Sequence, residues 1–412
     1  MTNLRFKAAV RVPLWVAGLA IAGTGHTAER STLDLTASVG VSTNPGLQLN
    51  GTSSAFGRIS GLGMHEWRSE RTTTSISLYG ENTTYLNGYG SKQIFSLNGH
   101  TSHEVNPNLT IFGNLGFQGD FGGQLSNRFA TTTPDLTTPP NDELPPSVIL
   151  DDPTLNGFSG RQYRLSGQLG LSMRASARSS VSLSAGAQRN FAKGGLSNAN
   201  YNSYFGNASW DTQFSERLSA GLGVNAQYQD YDNGGTSSVL NPYVSVRHQF
   251  SDEIEGRASV GLLLTHQKQP GFGSSNSVDP SFSFSICKAN SHERLCARGS
   301  RETRSSFGLG TITSSSSLGI STSAGIDYSR QLDANQSVQA AVTATRYSTS
   351  GSSVADFRST YLNFLVGYDR KLRERLSAGA NAGARKFFVA GRDPKTDFSA
   401  TAYVRYRLGD IQ

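Results

Sequence analysis

Asn98, His100, Ser102 and Glu104 come closer than any other residues in this sequence to catalytic machinery, following one another at every second position. Side chains of a strand alternate faces with period two, so all four would share one face. A histidine beside a serine can take the hydroxyl proton and activate the oxygen as a nucleophile, with a polar neighbour orienting the ring. But residues two apart on one strand have Cα atoms roughly 7 Å apart, which disfavours a His100–Ser102 contact. No second stretch offers an evident oxyanion hole. The expectation is a protein that is not an enzyme and has no assigned catalytic residue. An outer-membrane lipid hydrolase centred on His100 and Ser102 is the alternative.

Cys287 and Cys296 are the two cysteines of the chain. His292 lies between them, but no fourth ligand completes a zinc site. With export, a disulfide is the natural reading. Closing so short a loop stabilises by about 2–3 kcal/mol, chiefly by restricting the unfolded chain. Paired acids at useful spacing and phosphate-binding loops are also missing, and Gly308 and Gly310 are too isolated to form one. No metal and no cofactor is expected.

A third set is more widely spread. Arg164, Arg174, Arg247, Arg257, Asn381, Arg385, Arg405 and Arg407 each fall on the polar parity of an alternating segment. Glu81, Asp120, Glu255 and Asp327 are available to pair with them. If that parity lines a wet lumen, its hydrogen-bonding groups and modest cationic excess favour polar, neutral-to-anionic solutes.

The elements that would hold these residues are strands. Between Ser359 and Leu372, Thr360, Leu362, Phe364, Val366 and Tyr368 share one parity; Ser359, Tyr361, Asn363, Gly367 and Asp369 share the other, with Leu365 the exception. After the charged turn Arg373-Glu374-Arg375, alternation restarts from Leu376 to Phe388, with Ala380 on the apolar parity and Asn381 and Arg385 on the polar one. Each arm exceeds the ~5–6 residues of a soluble strand and matches a tilted strand that crosses a bilayer. Glu216-Arg217-Leu218-Ser219-Ala220-Gly221 repeats at Glu374–Gly379, the same turn-to-strand device used twice.

Composition agrees. Of 412 residues only 16% are charged and 36% hydrophobic, against roughly 25% and 45–50% in a soluble domain, the latter counting glycine. Sustained alternation, with 21 Phe and 15 Tyr within it, argues against disorder. A barrel with an apolar outside and a wet inside needs few charges and only half of each strand apolar. The net charge of +7 comes from scattered basic residues rather than a patch or stripe, so nucleic acid is not expected as a partner. Arg5, Lys7 and Arg11 precede an apolar run from Val12 to Ala22, the pattern of a secretory signal. It predicts a signal peptide over residues 1–28 and a barrel over 29–412.

Followed from Thr32–Val41 to Asp397–Leu408, the alternation gives sixteen strands, an even number as bacterial barrels require. Tight polar turns alternate with longer connections rich in Gly, Ser and Asn, the asymmetry of periplasmic turns and outer loops. Two outer loops are large, 122–160 and 268–317, and the second holds both cysteines. Phe282, Phe284 and Ile286 alternate within it, so two further strands, giving eighteen, are the alternative count. Aromatics near strand ends (Phe121, Trp210, Phe214, Tyr228, Phe250, Phe387, Phe388) suit interfacial girdles.

The basic and apolar N-terminus, the paired strands and the two-beat rhythm of turns and loops resemble the bacterial outer-membrane porin-like β-barrels, particularly the β-barrel porin group associated with exopolysaccharide systems. Asp120-Phe121-Gly122-Gly123 is similar to the acidic-Phe-Gly-Gly segment of the constricting third loop of general porins. The last strand ends in Gly409-Asp410-Ile411-Gln412, not the terminal aromatic typical of that family. The resemblance implies an all-β, transmembrane, antiparallel up-and-down barrel in the bacterial outer membrane. It implies a channel for polar solutes, with exopolysaccharide export as the setting and a structural barrel with a plugged lumen as a further alternative. The partners implied are outer-membrane lipid and lipopolysaccharide, with polysaccharide or periplasmic export proteins.

Overall fold

The computed structural model describes residues 28–47, 51–120, 161–193, 200–232, 234–269, 273–306, 317–349, 357–389 and 393–409. They form eighteen strands. The first nine are β1 (Ala28–Ser42), β2 (Ser54–Arg68), β3 (Thr72–Tyr85), β4 (Ser91–Asn106), β5 (Leu109–Asp120), β6 (Arg161–Arg174), β7 (Ser179–Lys193), β8 (Tyr201–Ser215) and β9 (Leu218–Tyr231). The second nine are β10 (Thr236–Gln249), β11 (Ile254–Gln269), β12 (Gly273–Ala289), β13 (Glu293–Ser306), β14 (Ser317–Asp333), β15 (Gln336–Thr349), β16 (Phe357–Arg373), β17 (Leu376–Val389) and β18 (Lys395–Gly409). Each pairs antiparallel with its sequence neighbours, and β1 pairs with β18, so the sheet closes on itself without an edge.

Closure explains the composition. In a closed up-and-down barrel one parity of every strand points out and the other in. Leu35, Val39, Ile111, Leu169, Leu222, Val260, Ile326, Val366 and Val404 all lie on the outward parity and are exposed. In water so continuous an apolar surface would aggregate; in a bilayer it is the lipid-facing band. Strands run from 12 to 17 residues, long enough to cross. With every strand paired on both sides, the backbone can meet its hydrogen-bonding needs inside the membrane.

The ends of the barrel differ. Connections at one end are short, for example 107–108, 216–217, 290–292, 334–335 and 374–375, and the first and last strands also begin and end there. The other end carries the longer connections, such as 43–53. This is the periplasmic-turn, outer-loop asymmetry expected from sequence.

Three expectations are corrected. The count is eighteen strands, the alternative reading rather than the first-choice sixteen, because 268–317 is no outer loop: it carries β12 and β13. Strand β13 was hidden because of its outward residues Leu295, Ala297, Gly299, Arg301 and Thr303 only Leu295 is a large apolar. Consequently the disulfide, which does form, sits in the barrel wall. Cys287 and Cys296 face each other in register, Cα atoms 4.1 Å apart, beside the short turn 290–292. Phe387 is not a girdle residue; it lies on the inward parity and is 2% exposed. The segment 122–160, the first of the two expected large loops, lies outside the described residues, as do 1–27 of the expected signal peptide.

Candidate functional site

Because every strand contributes alternate residues inward, the interior is where polar side chains from all parts of the sequence meet. Register puts Arg164, Arg174, Arg247, Arg257, Asn381, Arg385, Arg405 and Arg407 on the parity opposite the exposed apolar residues. They do not form one ring, and the two ends of the barrel treat them differently.

Near the short-turn end most inward charged side chains are ion-paired, and those of Arg247 and Arg298 are open to solvent. Arg247 and Arg257 are opposite each other in β10 and β11. Both grip Glu255, at 3.0 Å from Arg247 Nη2 and 2.6 Å from Arg257 Nε. Two cations grip one anion here. Arg298 lies 3.3 Å from Asp327, and the Arg247 and Arg298 side chains are 54% and 53% exposed. Arg407 makes a two-pronged bond to Asp34, at 2.8 and 2.9 Å. Asp369 accepts from Tyr403 Oη at 2.8 Å and lies 3.8 Å from Arg405. Arg174 is exposed, with no ion-pair partner among the described residues.

Near the long-loop end the inward side chains are packed. Phe56, Tyr201, Tyr231, Tyr347, Tyr361 and Phe387 are all buried. Tyr201 and Tyr231 meet at a ring separation of 5.6 Å. The chain after β1 folds in over this layer. Leu47, held at a φ of +48°, is buried against Tyr361 and Phe387. The anchor is Asp397, which is fully buried. It accepts from Ser42 Oγ at 2.6 Å, from the Asn44 backbone N–H at 2.8 Å and from Arg385 Nε at 3.1 Å. Arg385 Nη2 also donates to the Pro45 carbonyl at 3.4 Å. Arg385 is thus a strut holding an inward-folded turn, and Arg58 is held likewise by Glu81 at 3.4 Å. Sequence reasoning named Arg385 and Arg407 but missed their partners Asp397 and Asp34; both sit within alternating segments on the polar parity, which was the available signal.

The His100–Ser102 pair is not brought together. His100 Nδ1 is 2.7 Å from Asn114 Oδ1 on β5, and no hydrogen bond joins its ring to Ser102. Ser102 is registered between Thr73 and Phe112, neither of which can serve as its general base. No group of three or more His, Cys, Asp or Glu capable of holding a metal occurs among the described residues.

A closed antiparallel barrel with an apolar outer band, short turns at one end and a polar interior defines a bacterial outer-membrane β-barrel protein. No family model matches the chain, and no curated protein matches it. Solved structures do resemble it. OccK2 (OpdF) of Pseudomonas aeruginosa aligns with a TM-score of 0.49 at 13% identity, covering 93% of this chain and 98% of that one. OpdQ of the same organism gives 0.45 at 9%, covering 93% and 98%. The FrpB iron transporter of Neisseria meningitidis gives 0.46 at 8%, covering 92% and 81%.

Proposed function

We propose that the barrel is a passive outer-membrane channel for polar, neutral-to-anionic solutes, with exopolysaccharide or its fragments as the solute class. The observation that carries this is the solvent exposure of inward charged side chains, Arg247 and Arg298 above all. Charged groups facing a dry interior would be buried and fully paired; the exposure of these supports a wet interior at that end. An eighteen-strand barrel is wide enough for an aqueous channel. The Arg247–Glu255–Arg257 cluster and Arg174 supply the cationic excess that favours anions. The packed layer from Tyr201 to Phe387 sets the constriction at the long-loop end. In the cell the exposed band meets outer-membrane lipid and lipopolysaccharide, and periplasmic export proteins would feed the wet end.

Liposome swelling tests the solute class. Vesicles containing the protein should swell in isotonic neutral and anionic sugars and lag in cationic ones of the same size. Swelling fastest in the cationic solute would sink the reading.

A further inference from the structure

The wall of the barrel is uneven at one place. Strand β12 pairs with β11 over sixteen residue pairs, up to Gln269–Gly273, and β13 pairs with β14 over fourteen, up to Ser306–Ser317. Between β12 and β13 the register stops after eight pairs, at Phe282–Arg301. Beyond that point Gly273–Ser281 on one side and Glu302–Ser306 on the other are both in strands but do not pair with each other.

Sequence explains the stop. In an antiparallel pair the residues that exchange backbone hydrogen bonds alternate along the strand. Cys287 and Cys296, at 4.1 Å between Cα atoms, have the close spacing of a non-bonded pair. Stepping from them puts Ile286, Phe284 and Phe282 at bonded positions, and the next would be residue 280. That residue is Pro280, which has no N–H to donate. Pro242 interrupts the β10–β11 ladder in the same way, but there pairing resumes at Tyr243–Gly261.

Arg301 caps the split. It lies on the outward parity, opposite Phe282 and Thr322. Its Nε donates to the freed Pro280 carbonyl at 3.1 Å, Nη1 to Thr322 Oγ1 at 3.3 Å, and Nη2 to Asp279 at 3.3 Å. The guanidinium thus reaches from the outward parity across the wall to Asp279 on the inward parity, and ionisable groups at that depth are costly and mark function. The split also lies at the depth of the lipid-facing band. Val278, 68% exposed, is registered with Leu264, and Pro280 with Leu262, both exposed apolar residues. Across the seam Thr303 is registered with Ile320.

We propose that the β12–β13 seam is a lateral opening that admits an acyl-chain amphiphile of the outer leaflet. The chain lies against Val278 and Phe282 on the outer face, and the polar head reaches Ser277 and Asp279 on the inner parity. This does not depend on the polar-solute channel, since it concerns the wall and not the axial path.

Bromine-labelled lipid gives the test. The full chain carrying Ser277→Cys, with the Cys287–Cys296 bond intact, is labelled with bimane and folded into vesicles of dibrominated phosphatidylcholine. The control is Thr345→Cys, an inward residue in an uninterrupted ladder between Ser323 and Tyr361. Bimane at 277 should be quenched several-fold more than at 345; equal quenching overturns the proposal. Ser281→Cys serves as a second label position if the first variant does not fold. A Ser281→Cys, Glu302→Cys double variant should stay reduced in membranes under mild oxidant. Quantitative disulfide formation there would show a zipped wall and likewise overturn it.

Discussion

Leu365 and Val366 are adjacent, similarly apolar, and face opposite ways. Both lie at the middle of β16. Val366 is outward and 42% exposed, whereas Leu365 is inward, registered with Ala341 and Gly383. Lysine at each position therefore separates the two faces with one chemistry. A cation on the lipid face at the bilayer midplane costs about 2–4 kcal/mol. At 1.4 kcal/mol per tenfold, that is a loss of roughly 30- to 700-fold in the folding equilibrium. Lysine at 365 extends into the polar interior and should cost under about 1 kcal/mol, as at an ordinary surface site. The assay is reversible urea unfolding in phospholipid vesicles, followed by tryptophan fluorescence and by heat-modifiable gel mobility. Val366→Lys should shift the midpoint far down and Leu365→Lys barely move it. Equal costs, or the reverse order, would refute the facing assigned to every strand, because register fixes all of them together.

The same unfolding assay should show Arg385→Ala losing about 3 kcal/mol, since it strands the buried Asp397 carboxylate without its cation; a change near zero would remove the strut role. Cys287→Ser should lose about 2–3 kcal/mol while leaving solute passage unchanged, because the bond constrains a hairpin already formed by the turn at 290–292. Arg247→Glu combined with Arg257→Glu should move the reversal potential in a salt gradient toward cation preference, and an unmoved potential would take the cluster out of the pathway. Ser102→Ala should leave lipid hydrolysis by the purified protein at background; a measurable activity abolished by the substitution would instead revive the hydrolase reading.

The barrel was legible because alternation is a backbone property repeated eighteen times, and most strands carry it on both faces. Ser359–Leu372 and Leu376–Phe388 fall within a residue or two of β16 and β17. What escaped was the pair β12 and β13: the outward Phe282, Phe284 and Ile286 of β12 do alternate, but the strand they pair with shows no such pattern. In β13 closure is secured by pairing with β14 along its whole length, so Gly299 and Arg301 are tolerated on the outward parity. In β2 the inward parity holds Phe56, Leu62 and Met64, which blurs the contrast between faces. The site was legible as parity but not as depth. Alternation says that Arg385 and Arg247 point the same way; it does not say that Arg385 holds a packed turn at one end while Arg247 is half exposed beside Glu255 at the other. That difference comes from partners distant in sequence, Ser42 and Asn44 for Asp397 above all.

The central claim is a water-filled path through the barrel, and planar-bilayer recording reads it directly. Purified protein, its fold verified by gel mobility, should insert with discrete conductance steps whose reversal potential in a potassium chloride gradient favours chloride. Folded protein that inserts and passes no current would contradict the account.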